Sequence, residues 1–191
     1  MARLPRTDPE AALEQVVELF WDRGYHDVCV EDIVHRTGLN RHSLYGRFGN
    51  KMGLFRAALD RYAAINTDAI DAVLAGAGTA SARIENLLAL RNSEDADGYW
   101  ASVKTRGCMA ARTADEMGRA HPELRETMDK LGRYVTEGLE LVVTKGQQSG
   151  ELRSDVSASE LAALVVNSFM APLAWDGSHV PATTLLQMIK A

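Results

Sequence analysis

The sequence predicts an all-α protein: an N-terminal three-helix helix-turn-helix domain joined by one long helix to a larger C-terminal helical domain. Three observations lead there. Apolar residues recur at spacings of three and four along most of the chain, which is the repeat of a helix face. No alternating apolar–polar run longer than a few residues offers a strand instead. Glycines at 24, 38, 49, 76, 78 and 150 fall between the periodic runs, where helices stop.

The first helix starts at Asp8 with Pro9 in its first turn, where the missing N–H costs nothing, although Thr7 and Glu10 make a rival capping box. Leu13, Val16, Val17 and Phe20 share its inner face, and Gly24 ends it as a left-handed cap. A second helix covers Val30 to Thr37, with Ile33 and Val34 inward and Gly38 at the turn. Asn40 caps a third helix that ends near Phe48 at Gly49. Leu44 and Phe48 share its inner face, so Arg41, His42, Ser43, Tyr45 and Arg47 lie elsewhere. The fourth helix runs from about Lys51 to Leu74, carrying Leu54, Ala58, Tyr62, Ile65, Ala69 and Val73. With no Pro or Gly between Leu54 and Leu74, it passes unbroken from residues 1–62 into residues 63–191, the two expected domains.

Beyond it the pattern predicts helices at Ala80–Leu90, Gly107–Met117, from His121 and Pro122 to Gly150, Ser157–Trp175 and Pro181–Lys190, with an exposed loop at Ser93–Tyr99. Ser157 and Glu160 form a capping box.

With 46% apolar and 25% charged residues, the chain is globular rather than disordered. It has no apolar run of the roughly 20 residues a membrane span needs, and its first fifteen residues hold no apolar signal region, so a cytoplasmic protein with no membrane partner is expected. Two distant cysteines, Cys29 and Cys108, make neither a disulfide framework nor a metal-ligand spacing. His26, His35, His42, His121 and His179 are scattered, no Glu-x-x-His pair faces a bundle core, and no serine sits in a nucleophile elbow. A helical-bundle enzyme is therefore the remote alternative, and no cofactor, metal or catalytic residue is expected.

Charge is what singles out one region. Residues 1–62 balance nine bases against nine acids, and the rest carries the whole net charge of −5. Yet from Arg36 to Arg61 six bases face one acid, Asp60, a local net of +5. A basic stripe on an acidic protein points to a polyanion met at one place. A short helix, a Gly turn and a second short helix put that second helix into the major groove of double-stranded DNA. Arg41, His42 and Ser43, at its start, are placed to read base edges, arginine being the usual bidentate partner of guanine. Thr37, Tyr45 and Lys51 are placed to hold phosphates, Lys51 together with a helix N-terminus, and Arg47 completes the basic face.

The run GLNRHSLYGRFGNKMGLF, residues 38–55, is similar to the signature of the TetR family of bacterial transcriptional regulators. Gly38, Ser43, Leu44, Tyr45, Phe48, Lys51, Leu54 and Phe55 fit it, as do Phe20, Gly24, Tyr25, Val30 and Ile33 before them; the motif spans residues 29–48. Two positions depart. Val28 and Cys29 stand where Thr or Ser is usual, and Cys29 is a poor cap, so no phosphate contact carries over to it. Gly46 replaces a larger residue.

The resemblance implies a C-terminal domain that binds a small-molecule effector and dimerises, and hence a repressor released from DNA by its ligand. A two-fold homodimer would place its recognition helices roughly 34–36 Å apart on a palindromic operator. Trp100, Met109, Met117, Met128, Tyr134, Phe169, Met170 and Trp175 are the candidate pocket lining, because Met and aromatic side chains suit adaptable apolar ligands. Leu161, Leu164, Val165, Leu185 and Ile189 on the last two helices are the candidate dimer contacts. The segment RGCMAARTADEMG resembles a branch of the family with Gly-Cys at this helix start. Cys108, near a helix N-terminus with Lys104 and Arg106 close in sequence, is a candidate redox or electrophile switch.

Overall fold

The computed structural model describes residues 9–90, 99–174 and 180–191, and among these ten helices hold the fold. Helix α1 spans Pro9–Arg23. Its buried stripe is Ala12, Val16, Val17, Phe20 and Trp21, so Trp21 joins the inner face while Leu13 moves to its flank. Gly24 ends it at φ +76°, its N–H donating to the Phe20 carbonyl at 2.8 Å. Thr7 and Asp8, the rival caps, lie outside the described residues.

Helix α2 (Val30–Thr37) begins without a capping hydroxyl, as the cysteine before it implies. The Asp32 carboxylate reaches back instead, accepting the Cys29 N–H at 2.8 Å and pairing with Arg23 at 3.3 Å. That backbone bond, then the thiol and Arg23, hold its carboxyl at about 2. Helix α3 (Arg41–Phe48) starts where Asn40 accepts the Ser43 N–H at 2.8 Å. Helix α4 (Lys51–Leu74) is 24 residues long, about 36 Å at 1.5 Å per residue.

The C-terminal part contains α5 (Ala80–Leu90), α6 (Tyr99–Arg106), α7 (Met109–Met117), α8 (Pro122–Gln148), α9 (Ala158–Ala174) and α10 (Ala182–Ile189). Helix α6 is absent from the sequence expectation: Ala101, Ser102, Lys104 and Thr105 dilute its apolar stripe. Tyr99, expected to close the loop, opens this helix, and residues 93–98 of that loop lie outside the described residues. Gly107 does not begin α7, because it sits at φ +77°, a turn conformation that separates α6 from α7. The Ser157–Glu160 capping box forms as expected, with the Ser157 hydroxyl accepting the Glu160 N–H at 3.3 Å and the carboxylate accepting the Ser157 N–H at 3.1 Å.

Two hydrophobic cores result. The second gathers α5, α8, α9, α10 and the end of α4 around Ile84, Leu87, Leu139, Val143 and Val165. Leu161, Val165, Leu185 and Ile189, expected at a dimer contact, are instead buried in this core of the single chain, at 3% exposure or less. Leu164 alone of that set is exposed, at 38%. The first core is not confined to residues 1–62. Phe20, Trp21, Ile33, Leu44, Phe55 and Tyr62 share it with Val103, Cys108, Met109, Met117 and Leu124 from α6, α7 and α8. Position 62 therefore marks a change of role along α4 rather than a gap in packing.

Candidate DNA-contacting face and the cavity behind it

Leu44 pins α3 to the first core at 1% exposure, with Tyr45 and Phe48 half-buried beside it. Because one helix face is occupied by these residues, Arg41, His42, Ser43 and Arg47 are left exposed together. The turn into α4 is tight: the Asn50 N–H donates to the Phe48 carbonyl at 2.9 Å, and the Asn50 side chain accepts the Gly53 N–H at 2.9 Å. A Cβ added to Gly53 would lie 1.9 Å from the Phe48 oxygen, so α3 and α4 meet here with no room to spare. Asn50 is a cap that the sequence reading passed over, though an Asn just before a helical run is its ordinary signal.

The expected contact residues are not equivalent. Arg41 Nη2 donates to Glu31 Oε1 of α2 at 2.5 Å, with both side chains largely exposed. A pair this exposed is worth about 0–1 kcal/mol, so a polyanion can take the guanidinium at small cost. Lys51 holds its ammonium 4.3 Å from the Tyr25 ring centroid, a cation–π contact on the same surface. Burial there lowers its pKa, opposed by Cys29, Asp27 and Asp32. The Arg47 guanidinium lies 5.6 Å from the Phe48 ring centroid. Thr37 departs from expectation. It is 3% exposed, its hydroxyl donating to the Ile33 carbonyl at 2.7 Å and accepting the Leu39 N–H at 3.2 Å. It braces the turn at Gly38 and has no face left for phosphate.

Behind this end, α4, α6, α7, α8 and α9 line a partly open cavity of about 180 Å³. Trp100, Met128, Phe169 and Met170 line it, as the sequence suggests. Met109 and Met117 do not; both are buried in the solid first core. Tyr134 lies outside as well, 45% exposed, its hydroxyl donating to Asp71 Oδ2 at 2.6 Å and tying α8 to α4. Trp175 lies outside the described residues. The sequence reading missed Tyr62, Asn66 and Ile70 of α4 and the small residues Ala110, Ala111 and Ala114 of α7, which leave the space open.

Cys108 caps α7 and lines this cavity at 7% exposure. Its Sγ accepts the Tyr62 hydroxyl at 3.5 Å, and that hydroxyl accepts the Met109 N–H at 3.2 Å. Arg106, close in sequence, turns instead to α1, pairing with Glu18 and with Asp22 (3.1 Å) and lying over the Trp21 ring at 4.9 Å. Trp21 Nε1 donates to the Gly107 carbonyl at 2.8 Å, and Arg112 donates to the carbonyls of Trp21 (2.9 Å) and Arg106 (3.0 Å). The turn that carries Cys108 is thus fastened to the first helix of the DNA-contacting unit, 86 residues away in sequence. Among the described residues no three His, Cys, Asp or Glu side chains are grouped to hold a metal, and no helix is long and apolar enough to cross a membrane.

This architecture is shared with known proteins. Residues 12–58 match the family described as bacterial regulatory proteins, tetR family, and residues 92–174 match the tetracyclin repressor-like C-terminal domain. The chain is 25% identical over 166 residues to the uncharacterized HTH-type transcriptional regulator YezE of Bacillus subtilis, covering 83% of this chain and 81% of that one. It is 49% identical over 55 residues to the HTH-type transcriptional repressor ComR of Escherichia coli, a match spanning 29% of this chain but only 26% of ComR. Among solved structures, a tetR-family regulator from Cytophaga hutchinsonii superposes with a TM-score of 0.80 at 21% identity, over 99% of this chain and 98% of that one. The tetR-family regulator CifR, as a cysteine mutant complexed with 26-bp double-strand operator DNA, gives 0.75 at 23% identity, over 98% and 95%.

Proposed function

This chain belongs to the tetR family of bacterial regulatory proteins, and from that premise we propose that it is a cytoplasmic repressor that binds a palindromic operator as a homodimer and is released by a small-molecule effector. It is a transcriptional regulator with a DNA-binding helix-turn-helix. The observation that carries the finer reading is the exposed basic side of α3, held outward by Leu44 beneath it and backed by a cavity that shares α4. Arg41, His42 and Ser43 read base edges, and Tyr45, Arg47 and Lys51 hold phosphates, with Lys51 leaving Tyr25 to do so. The last two helices supply the dimer contact through their exposed apolar side chains, Leu164 on α9 and Met188 on α10, rather than through the leucines buried within the chain. An effector that fits only one arrangement of α4 and α7 shifts the population between DNA-competent and released dimers.

Selection of bound fragments from the source genome, followed by fluorescence anisotropy, tests this. Arg41→Ala is expected to relax sequence preference, with each lost base contact worth about 1–3 kcal/mol. Lys51→Ala is expected to weaken binding to all DNA and reduce the salt slope by about 1. Equal loss on every sequence for Arg41→Ala would remove it from the readers, and retention of no fragment above competitor DNA would defeat the whole reading. Leu164→Glu is expected to yield monomers in sedimentation and lose operator binding.

A second reading keeps the same DNA face and switches it through Cys108. Its support is a free thiol on the cavity wall, hydrogen-bonded to Tyr62 of α4. Modification of that sulfur would displace the Tyr62 hydroxyl. If Cys108→Ser leaves DNA release by oxidants and electrophiles unchanged, this reading is wrong.

A further inference from the structure

We propose that the cavity takes a small neutral aromatic molecule of about one ring bearing a single hydrogen-bond donor, a phenol or an aryl amine, held by the side-chain oxygen of Asn66. The inference rests on the effector-controlled reading above for its consequence on DNA, while the binding itself stands on the cavity alone.

Size comes first. The cavity measures about 180 Å³. An apolar cavity of about 150 Å³ accepts benzene, so this one fits a single ring with one or two further heavy atoms. Shape agrees: Trp100 and Phe169 meet edge to face, with centroids 5.4 Å apart and planes at 72°, presenting aromatic edges and faces to a third ring. Met128 and Met170 are flexible thioethers that adjust to its outline.

Charge excludes other ligands. Among the described residues lining the cavity none is charged, so a carboxylate or an ammonium placed there would lose its hydration with no counter-ion. Polarity then sets the orientation. Asn66 is 8% exposed and lines the cavity. Its Nδ2 donates to the Tyr62 carbonyl at 2.9 Å, which fixes the amide so that Oδ1 is the end left over. Among the described residues Oδ1 takes no hydrogen bond, and it stays reachable from the cavity, so a ligand that displaces water from it must supply a donor in its place. The Tyr62 hydroxyl offers no competing donor of its own, since it already donates to Cys108 and accepts from Met109. The ligand therefore brings the donor.

The experiment is titration calorimetry of the full chain with 4-ethylphenol, ethylbenzene and 4-ethylbenzoate. The expected order is 4-ethylphenol tightest, ethylbenzene roughly three- to tenfold weaker for want of the hydrogen bond, and 4-ethylbenzoate without measurable heat. In Asn66→Leu the preference is expected to reverse, ethylbenzene binding at least as tightly as the phenol; Asn66→Ala, which also lacks an acceptor, serves where the leucine variant does not fold. Equal affinity for the phenol and ethylbenzene in the wild-type chain, binding of the benzoate, or no heat from any probe would overturn the assignment. Anisotropy on a selected operator fragment separates the two layers. If 4-ethylphenol binds through Asn66 without releasing DNA, the site stands and effector control fails. If the fragment is released by other small molecules while no probe binds, effector control stands and the site fails.

Discussion

Replacing Gly53 with alanine reports directly on how α3 is held against α4. Glycine is disfavoured inside a helix by roughly 1 kcal/mol relative to alanine, so propensity alone makes Gly53→Ala stabilising. The structure gives the opposite sign. The new Cβ would lie 1.9 Å from the Phe48 oxygen, a backbone atom that cannot rotate away. A carbon and a carbonyl oxygen settle at about 3.3 Å or more, so the α3–α4 turn must open by roughly 1.4 Å. That movement breaks the 2.9 Å bond from the Asn50 N–H to Phe48 and shifts the exposed side of α3. Overpacking of this kind costs about 1–3 kcal/mol, leaving a net loss of up to about 2 after the propensity gain. Gly46 is the control, also inside a helix but with nothing within 4 Å of its added Cβ. Gly46→Ala is expected to stabilise by about 0.5–1 kcal/mol. Urea unfolding gives the stabilities, and anisotropy on a selected fragment gives an operator affinity at least about tenfold lower for Gly53→Ala, matching one lost phosphate or base contact. If both variants gain stability alike and Gly53→Ala binds the operator normally, the close approach of α3 to α4 is not what positions the recognition helix.

Three further outcomes follow from particular contacts. Asp32, whose carboxyl is depressed from 3.8 to about 2, contributes stability that is present above its ordinary pKa and is lost as pH falls through its folded one. Asp32→Asn is therefore expected to flatten the acid limb of urea midpoints between those values, and an unchanged limb would show that the cap on α2 adds nothing. Leu139→Ala, at a fully buried position of the second core, is expected to cost about 2–5 kcal/mol, while Leu141→Ala, 66% exposed on the same helix, changes stability by less than about 0.5 in the same unfolding assay. Trp21→Phe keeps an aromatic ring in the first core but deprives the Gly107 carbonyl of its donor, with an expected loss of about 0.5–1.5 kcal/mol; no loss would mean that α1 and the α6–α7 turn are not fastened through that bond.

Where the chain carries its own punctuation, the sequence and the structure coincide. Gly24, Gly38 and Asn40 act locally, through a left-handed turn or a side-chain cap, and the helices they bound fall where expected. What was illegible depended on distance. The inner stripe of a helix shows that residues are buried, not what lies opposite. Met109 and Met117 look like pocket residues because of their type, yet they are buried in the core that also holds Trp21 and Phe55. The cavity is made by the residues that fail to fill it, Ala110, Ala111 and Ala114, whose smallness carries no signal in a single sequence. Leu161, Val165, Leu185 and Ile189 look like an interface for the same reason, although α5 and α8 of the same chain cover them. Thr37 was misread because a threonine at a helix end serves its own backbone as readily as a phosphate.

The long helix α4 invites a picture of two domains joined by a rod, and the packing argues for a tighter coupling. Tyr62 belongs to the core that holds Phe20, Trp21 and Phe55, and it also lines the cavity. A hundredfold change in operator affinity requires an effector to favour one state by about 2.8 kcal/mol. Each hydrogen bond inside a protein is worth about 0.5–1.5 kcal/mol net, so the two made by the Tyr62 hydroxyl, to Cys108 and from Met109, supply about 1–3 kcal/mol together, a large share of that figure. A ligand or a modified sulfur that breaks both acts on the α7 turn and on α4 at once. That turn is bonded through Gly107 to Trp21, and α4 reaches Lys51 eleven residues before Tyr62, about 16 Å along the helix. Because packed interiors respond by switching between arrangements rather than by deforming smoothly, the proposed effector control predicts that a loss at this one hydroxyl shifts α1 and α3 together.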